Sequence, residues 1–190
     1  MKNLQMKYNV LHILFWLSYL SIYGYVAVFL QYRGLSNTDI GIVTGAGAIF
    51  SIFLSPFVSS LLTKINSLSI KKLTLILYIM MFSFFFCLTF LSLPVVFIMF
   101  FYIGLLSLVV SIVPFLSMIC MDYLKAGQYI NFGLSRGLGS VSYAAGAVLV
   151  GQLIDIINPT VIGYVHLLSS VLLLVLLFSM PDYKIEEDNP

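Results

Sequence analysis

The chain has 190 residues, 61% of them hydrophobic and 8% charged, with a formal net charge of +2; its mass is 21.3 kDa and its mean hydropathy +1.09. A soluble domain is about 45–50% apolar and about 25% charged, so this chain could not cover its own surface with polar groups, and a soluble globular enzyme is excluded. With 9 Lys and Arg scattered over the whole length, a disordered chain and a nucleic-acid-binding protein are excluded as well.

An all-α polytopic membrane protein remains. The apolar runs are long and continuous, whereas barrel strands would alternate over about ten residues. A helical span takes about 20 apolar residues, and the sequence divides into six such spans. Span 1 covers 10–32. Its run is too long for a signal-peptide core and no small-x-small cleavage site follows, so it reads as a retained span. On it His12, Trp16, Tyr19 and Tyr23 fall on one side of a helix. A turn over 33–37 follows, and Asp39 is predicted to cap span 2, residues 39–63. Span 2 carries Gly41 and Gly45, then Gly47, Ser51, Ser55 and Ser59 at four-residue spacing. Span 3, residues 73–91, has no glycine and reads as lipid-facing.

The turn Ser92-Leu93-Pro94 leads into span 4, residues 95–121, where Gly104, Ser107, Ser111 and Pro114 share a face. Span 5, residues 131–154, carries Gly137, Gly139, Ala144, Gly146, Ala147 and Gly151. Small stripes let helix backbones approach closely, so spans 2 and 5 are predicted to be packing helices. After Asn158-Pro159, span 6 covers 160–179; its wholly apolar stretch 172–178 reads as lipid-facing. The polar faces of spans 1 and 4 have two readings. Either Tyr19, Tyr23, Ser107 and Ser111 line a cavity, or the tyrosines sit at the membrane interface and the serines bond their own backbone.

Lys and Arg set the orientation. With the N-terminus inside, the cytoplasmic side holds Lys2, Lys7, Lys64, Lys71, Lys72, Lys125 and Lys184, and the outside only Arg33. Both termini are therefore expected in the cytoplasm of a cell-membrane protein. Residues 1–180 make one bundle, and 181–190 a charged cytoplasmic tail or the start of a loop. Cys87 and Cys120 give neither a disulfide framework nor a metal spacing, and no cofactor motif is present. Gly133-Leu134-Ser135-Arg136-Gly137 matches the G-x-S-x-G nucleophile pattern, but that motif needs a strand-turn-helix elbow. Here it opens a membrane helix, and His166 is expected toward the opposite end of its own span, so no catalysis is expected.

Arg136 is the most informative residue. A guanidinium at membrane depth costs several kcal/mol unless paired or hydrated, so it marks a functional site inside the bundle; snorkelling to the interface is the alternative. Asp122, ending span 4, is the nearest acidic candidate for a partner. Asp155, ending span 5, reads as a solvated interface charge. The spans thus run polar, packing, lipid-facing, and then repeat that order.

With these residues in view, the chain resembles the N-terminal half of a major facilitator superfamily transporter. It is most similar to the lactose-permease-like and nucleoside-permease-like proton symporters. Two stretches carry the likeness: Gly34-Leu35-Ser36-Asn37-Thr38-Asp39-Ile40-Gly41, continuing to Ser55-Pro56-Phe57, and Tyr129-Ile130-Asn131-Phe132-Gly133-Leu134-Ser135-Arg136-Gly137-Leu138-Gly139-Ser140. The resemblance implies one six-helix bundle built as a 3+3 inverted repeat. It implies that Arg136 binds substrate hydroxyls and that Tyr143 stacks on a ring. The family's helix-four glutamate falls at Met118, and Asp122, one turn on, is the acid offered in its place. In the loop between spans 2 and 3 the family's gating signature maps onto Ser59, Thr63, Lys64 and Asn66, with Lys71 and Lys72 arriving late; its aspartate is replaced by Thr63.

The implied activity is alternating-access transport of a small polar solute, sugar- or nucleoside-like, coupled to protons. The implied partners are the lipid bilayer and a second six-helix bundle, from the same or another chain, with no nucleic acid, metal or cofactor. The other class of reading is a non-transporting remnant or accessory subunit.

Overall fold

The computed structural model describes residues 2–65 and 68–183. Among them all regular structure is helical: α1 (Lys2–Tyr19), a π-helical turn (Leu20–Gly24), α2 (Val26–Tyr32), α3 (Asn37–Lys64), α4 (Ile70–Phe90), α5 (Val95–Lys125), α6 (Phe132–Ile156) and α7 (Val161–Ser179). Five of these helices are long and apolar enough to cross a membrane, and α1 with α2 supplies a sixth as a bent pair. The charged stretch 184–190, including Lys184, lies outside the described residues, as does Asn66.

Local sequence explains the helix ends. Ser36, not Asp39, caps α3: the Asp39 N–H donates to Ser36 Oγ at 3.2 Å, and the Ser36 N–H donates to Asp39 Oδ2 at 3.0 Å. This is a reciprocal capping box, with the acid at the third helical position instead of at the cap. Asn131 caps α6 by accepting the Leu134 N–H at 3.0 Å, and Ser69 caps α4 by accepting the Lys72 N–H at 3.2 Å. Gly34 (φ 86°) and Gly127 (φ 74°) make the left-handed turns that end α2 and α5.

The first span is not one straight helix. The backbone widens over Leu20–Gly24, and the segments on either side of Tyr25 meet at 55°. A π turn bends a helix because one extra residue enters the turn. Gly24 permits it, since a Cβ there would lie 2.6 Å from Leu20 Cδ1. Tyr102 of α5, fully buried, donates its hydroxyl to Ile22 O within the turn at 2.9 Å.

Neighbouring helices follow the order α3, α5, α4, α7, α1, α6. α3 and α6 therefore lie at the two margins, and in each only 17% of the most apolar window is buried. The glycine stripes act along one line each: a Cβ on Gly47 would meet Leu106 of α5 at 2.8 Å, and one on Gly146 would meet Leu17 at 2.8 Å. Their outer faces expose Ile49, Phe53, Val148 and Leu149.

The expectation that spans 3 and 6 face lipid is corrected. α4 and α7 are 44% and 50% buried over the same measure. Tyr78, Met81, Phe85 and Leu88 of α4 and His166, Ser170, Leu173 and Leu177 of α7 form the bundle's centre. Lipid tails are as apolar as leucine, so an apolar composition does not distinguish an interior face from a lipid face.

One end of the bundle is tied together by the chain that leaves α7. Lys7 Nζ donates to Ser179 O at 2.7 Å, Lys71 Nζ to Met180 O at 2.5 Å, and Tyr123 Oη to Pro181 O at 2.9 Å. Ser69 Oγ donates to Asp182 Oδ2 at 2.8 Å. Three consecutive carbonyls are thus taken by α1, α4 and α5. At the opposite end, Arg33 donates to Leu91 O at 2.6 Å.

Candidate functional site

α1 and α6 run parallel, side by side. Gln5 accepts the Asn131 N–H at 2.7 Å; Ser135 Oγ donates to Asn9 Oδ1 at 2.6 Å; Ser142 Oγ donates to Ile13 O at 3.0 Å; Tyr25 donates to Ala147 O further along. This ladder of polar contacts fixes the register that brings Trp16 onto Gly139. A Cβ at Gly139 would overlap the Trp16 indole, so the missing side chain makes the room in which Trp16 lies.

Arg136 completes the face. Its guanidinium carbon lies 3.9 Å from the Trp16 ring centroid, a cation–π geometry. Its Nη1 donates to Ser140 Oγ at 3.0 Å. Ser140 is one turn further into α6, so the arginine turns toward the middle of the helix and not back toward its near end. Snorkelling would send it the other way. Trp16 continues into Tyr19 (centroids 5.0 Å apart), Tyr19 stacks on Tyr23 at 5.4 Å and 21°, and Tyr143 stands 6.5 Å from both Trp16 and Tyr19. Tyr23 is 47% exposed, and Trp16, Tyr19 and Tyr143 are half-buried. The result is an open wall of four aromatic rings and one cation.

Beside it, His12 is buried between the edges of Tyr8 and Phe132, with ring centroids 4.9 and 5.7 Å away. Among the described residues neither His12 ring nitrogen has a hydrogen-bond partner, and neither has Trp16 Nε1. Buried polar groups are normally satisfied, so three orphan nitrogens on one face require an explanation.

The sequence-predicted residues separate into three places. Arg136, Tyr143, Tyr19 and Tyr23 come together here. Ser107 and Ser111 do not join them: both are buried in α5, where Ser107 donates to Ile103 O at 2.8 Å and to Gly47 O of α3 at 3.2 Å, and Ser111 to Ser107 O at 2.8 Å. Their hydroxyls satisfy backbone carbonyls, as serines in helices do when no other acceptor is in reach. Asp122 is elsewhere again, in the last turn of α5 beside Lys71, Tyr123 and Asp182, around the chain leaving α7. No ion pair joins it to Arg136 among the described residues.

Of the gating-loop residues, Thr63 is exposed and donates to Ser60 O at 2.9 Å, and Lys64 is exposed in the last turn of α3. Lys71 holds Met180 O, and Lys72 lies in the first turn of α4. Ser135 of the apparent nucleophile motif belongs to the α1–α6 ladder. His166 lies in a different seam, bonded to Ser18 Oγ at 3.1 Å and Ser170 Oγ at 3.3 Å and stacked on Phe85 at 4.4 Å. Among the described residues no group of His, Cys, Asp and Glu could hold a metal ion.

Sequence reasoning placed Trp16 on the polar face without seeing that it carries Arg136, because no local pattern couples α1 to α6. Ser140 was legible: it lies four residues after Arg136, within side-chain reach on a helix.

No curated protein and no solved structure matches the chain. The model of the MFS_1 like family matches residues 5–189, taking in all the membrane-crossing helices and the wall on α1 and α6. The chain is therefore a multi-pass membrane protein of the MFS_1 like family, which is generally a transporter family.

Proposed function

We propose that this chain is one bundle of a secondary active transporter that moves a small polar solute, sugar- or nucleoside-like, in symport with protons. Alternating access is completed by a second six-helix bundle, from a copy of this chain or from another. The observation that carries the reading is Arg136 turned inward onto Trp16, on a wall that stays open in this bundle. Charged groups inside spans are expensive and face cavities or partners, and aromatic walls with a few polar groups are what small-molecule sites are made of. Arg136, Tyr143, Tyr19 and Tyr23 are the proposed substrate contacts. Asp122 and the segment with Thr63, Lys64, Lys71 and Lys72 belong to the gating end.

The order of helix contacts supports a 3+3 repeat. It reads the same when α1–α2, α3 and α4 are exchanged for α5, α6 and α7: α1 against α6 mirrors α5 against α3, and α4 against α7 maps on itself. Lys7 and Lys71 gather with Tyr123 at the end where the chain leaves α7, opposite Arg33. This favours a cell-membrane orientation with that end in the cytoplasm.

The test is uptake of a panel of labelled sugars and nucleosides by native membrane vesicles, in which any second bundle is present. Arg136→Ala and Tyr143→Ala are each expected to lower uptake of the accepted solute by about tenfold or more. Uptake unchanged in both variants would show that this wall is not the binding site.

A further inference from the structure

The polar groups on the α1–α6 wall have an imbalance that limits what can bind there. A guanidinium carries five N–H donors, and among the described residues that of Arg136 makes one hydrogen bond, to Ser140 Oγ. Trp16 Nε1, buried against Gly139, is a donor only and has no acceptor among the described residues. His12, 1% exposed, has both ring nitrogens unmatched, and at least one of them carries a proton.

Among the described residues no carboxylate is placed to answer these donors. The chain has 7 Asp and Glu. Asp39 is in the first turn of α3, Asp122 in the last turn of α5, Asp155 in the last turn of α6, and Asp182 follows α7. Glu186, Glu187 and Asp188 come after residue 183 in the sequence. Among the described residues, therefore, no acid lies in the interior of a helix long and apolar enough to cross the membrane. The single cation on the wall, drawn inward by Ser140 and Trp16, has no counter-charge among the described residues.

We infer that the solute bound by this wall is an anion: a ring-bearing compound whose carboxylate or phosphate pairs with Arg136, while its ring lies along Tyr19, Tyr23 and Tyr143. This rests on the transporter reading above and narrows its substrate class from polar solutes to acidic ones, a sugar acid or a nucleotide-like monoester. Arginine suits such groups because its planar fork matches carboxylate and phosphate oxygens in pairs. The same counter-charge could come from a carboxylate on a second bundle. The two sources differ in whether the chain by itself prefers a free anion.

Trp16 is the one tryptophan of the chain, so emission excited beyond the tyrosine absorption band reports on this wall alone. The experiment titrates the chain in lipid nanodiscs, at constant ionic strength, with matched pairs: galactose against galacturonate, and uridine against uridine 5′-monophosphate. The anionic member of at least one pair is expected to change Trp16 emission at a concentration at least about tenfold lower than its neutral mate. That preference should vanish in Arg136→Gln and persist in Arg136→Lys, each checked for a monodisperse elution profile. Equal responses within both pairs, or a preference that survives Arg136→Gln, overturn the inference and leave the neutral-solute reading standing. Silence from every compound overturns it too, and assigns the counter-charge to the second bundle. The vesicle uptake assay, with that bundle present, then judges the transporter reading independently.

Discussion

Gly137 and Gly139 lie two residues apart on α6 and offer an internally controlled test of the wall. A Cβ at Gly137 meets nothing within 4 Å, whereas a Cβ at Gly139 overlaps the Trp16 indole. Alanine at either position gains the same helix propensity over glycine, up to about 1 kcal/mol. That gain cancels in the comparison. Overpacking a tight contact costs about 1–3 kcal/mol, because a rigid ring must shift and its neighbours with it. Gly139→Ala is therefore expected to be about 1–3 kcal/mol less stable than Gly137→Ala, roughly a 5- to 150-fold difference in the unfolding equilibrium. It should also move Trp16 off Arg136 and change the emission of the single tryptophan, which Gly137→Ala should leave alone. The assay is steric-trap or detergent-driven unfolding in bicelles, with emission spectra taken on the folded proteins. If the two variants agree within about 0.5 kcal/mol and both keep the parent spectrum, α1 does not approach α6 at Trp16, and the wall described above is wrong.

Two other outcomes follow from the seams. His166→Ala removes two hydrogen bonds worth about 0.6 kcal/mol each in a membrane protein, a ring stack of about 0.5–1.5 kcal/mol on Phe85, and leaves a cavity. It should cost about 2–4 kcal/mol by the same unfolding assay, while His166→Phe, which keeps the stack, should cost clearly less; equal costs would mean that the stack on Phe85 contributes nothing. Lys71→Met combined with Tyr123→Phe removes two of the three side chains that hold the carbonyls of residues 179–181. At about 0.5–1.5 kcal/mol per bond, hydrogen exchange at Met180 should quicken by roughly 5- to 150-fold. Unchanged exchange would show that these contacts do not restrain the segment.

That the chain folds into five to six apolar helices able to cross a membrane was legible, because a span must be long and apolar to exist in lipid. Arg136 stood out in the sequence because a cation within such a run needs a reason, and the structure sets it over the Trp16 ring. The face holding Trp16, Tyr19 and Tyr23 followed from helical spacing alone. The π turn at Leu20–Gly24 was not legible. It depends on what surrounds that turn, including Tyr102 from a helix some eighty residues away, and no pattern within 20–24 announces it. Ser107 and Ser111 show the same limit from the other side: their spacing is that of a polar face, yet the face looks into the α3–α5 seam.

The sequence by itself determined that this is a multi-pass membrane protein of long apolar helices, because the bilayer punishes any other use of such residues. The tertiary structure alone decided which helices are central and which marginal, and which partner Arg136 finds. In lipid the hydrophobic effect does not distinguish inside from outside between helices. Close packing at Gly47, Gly139 and Gly146 and the hydrogen bonds between helices decide it instead, and both are properties of pairs of segments far apart in the chain.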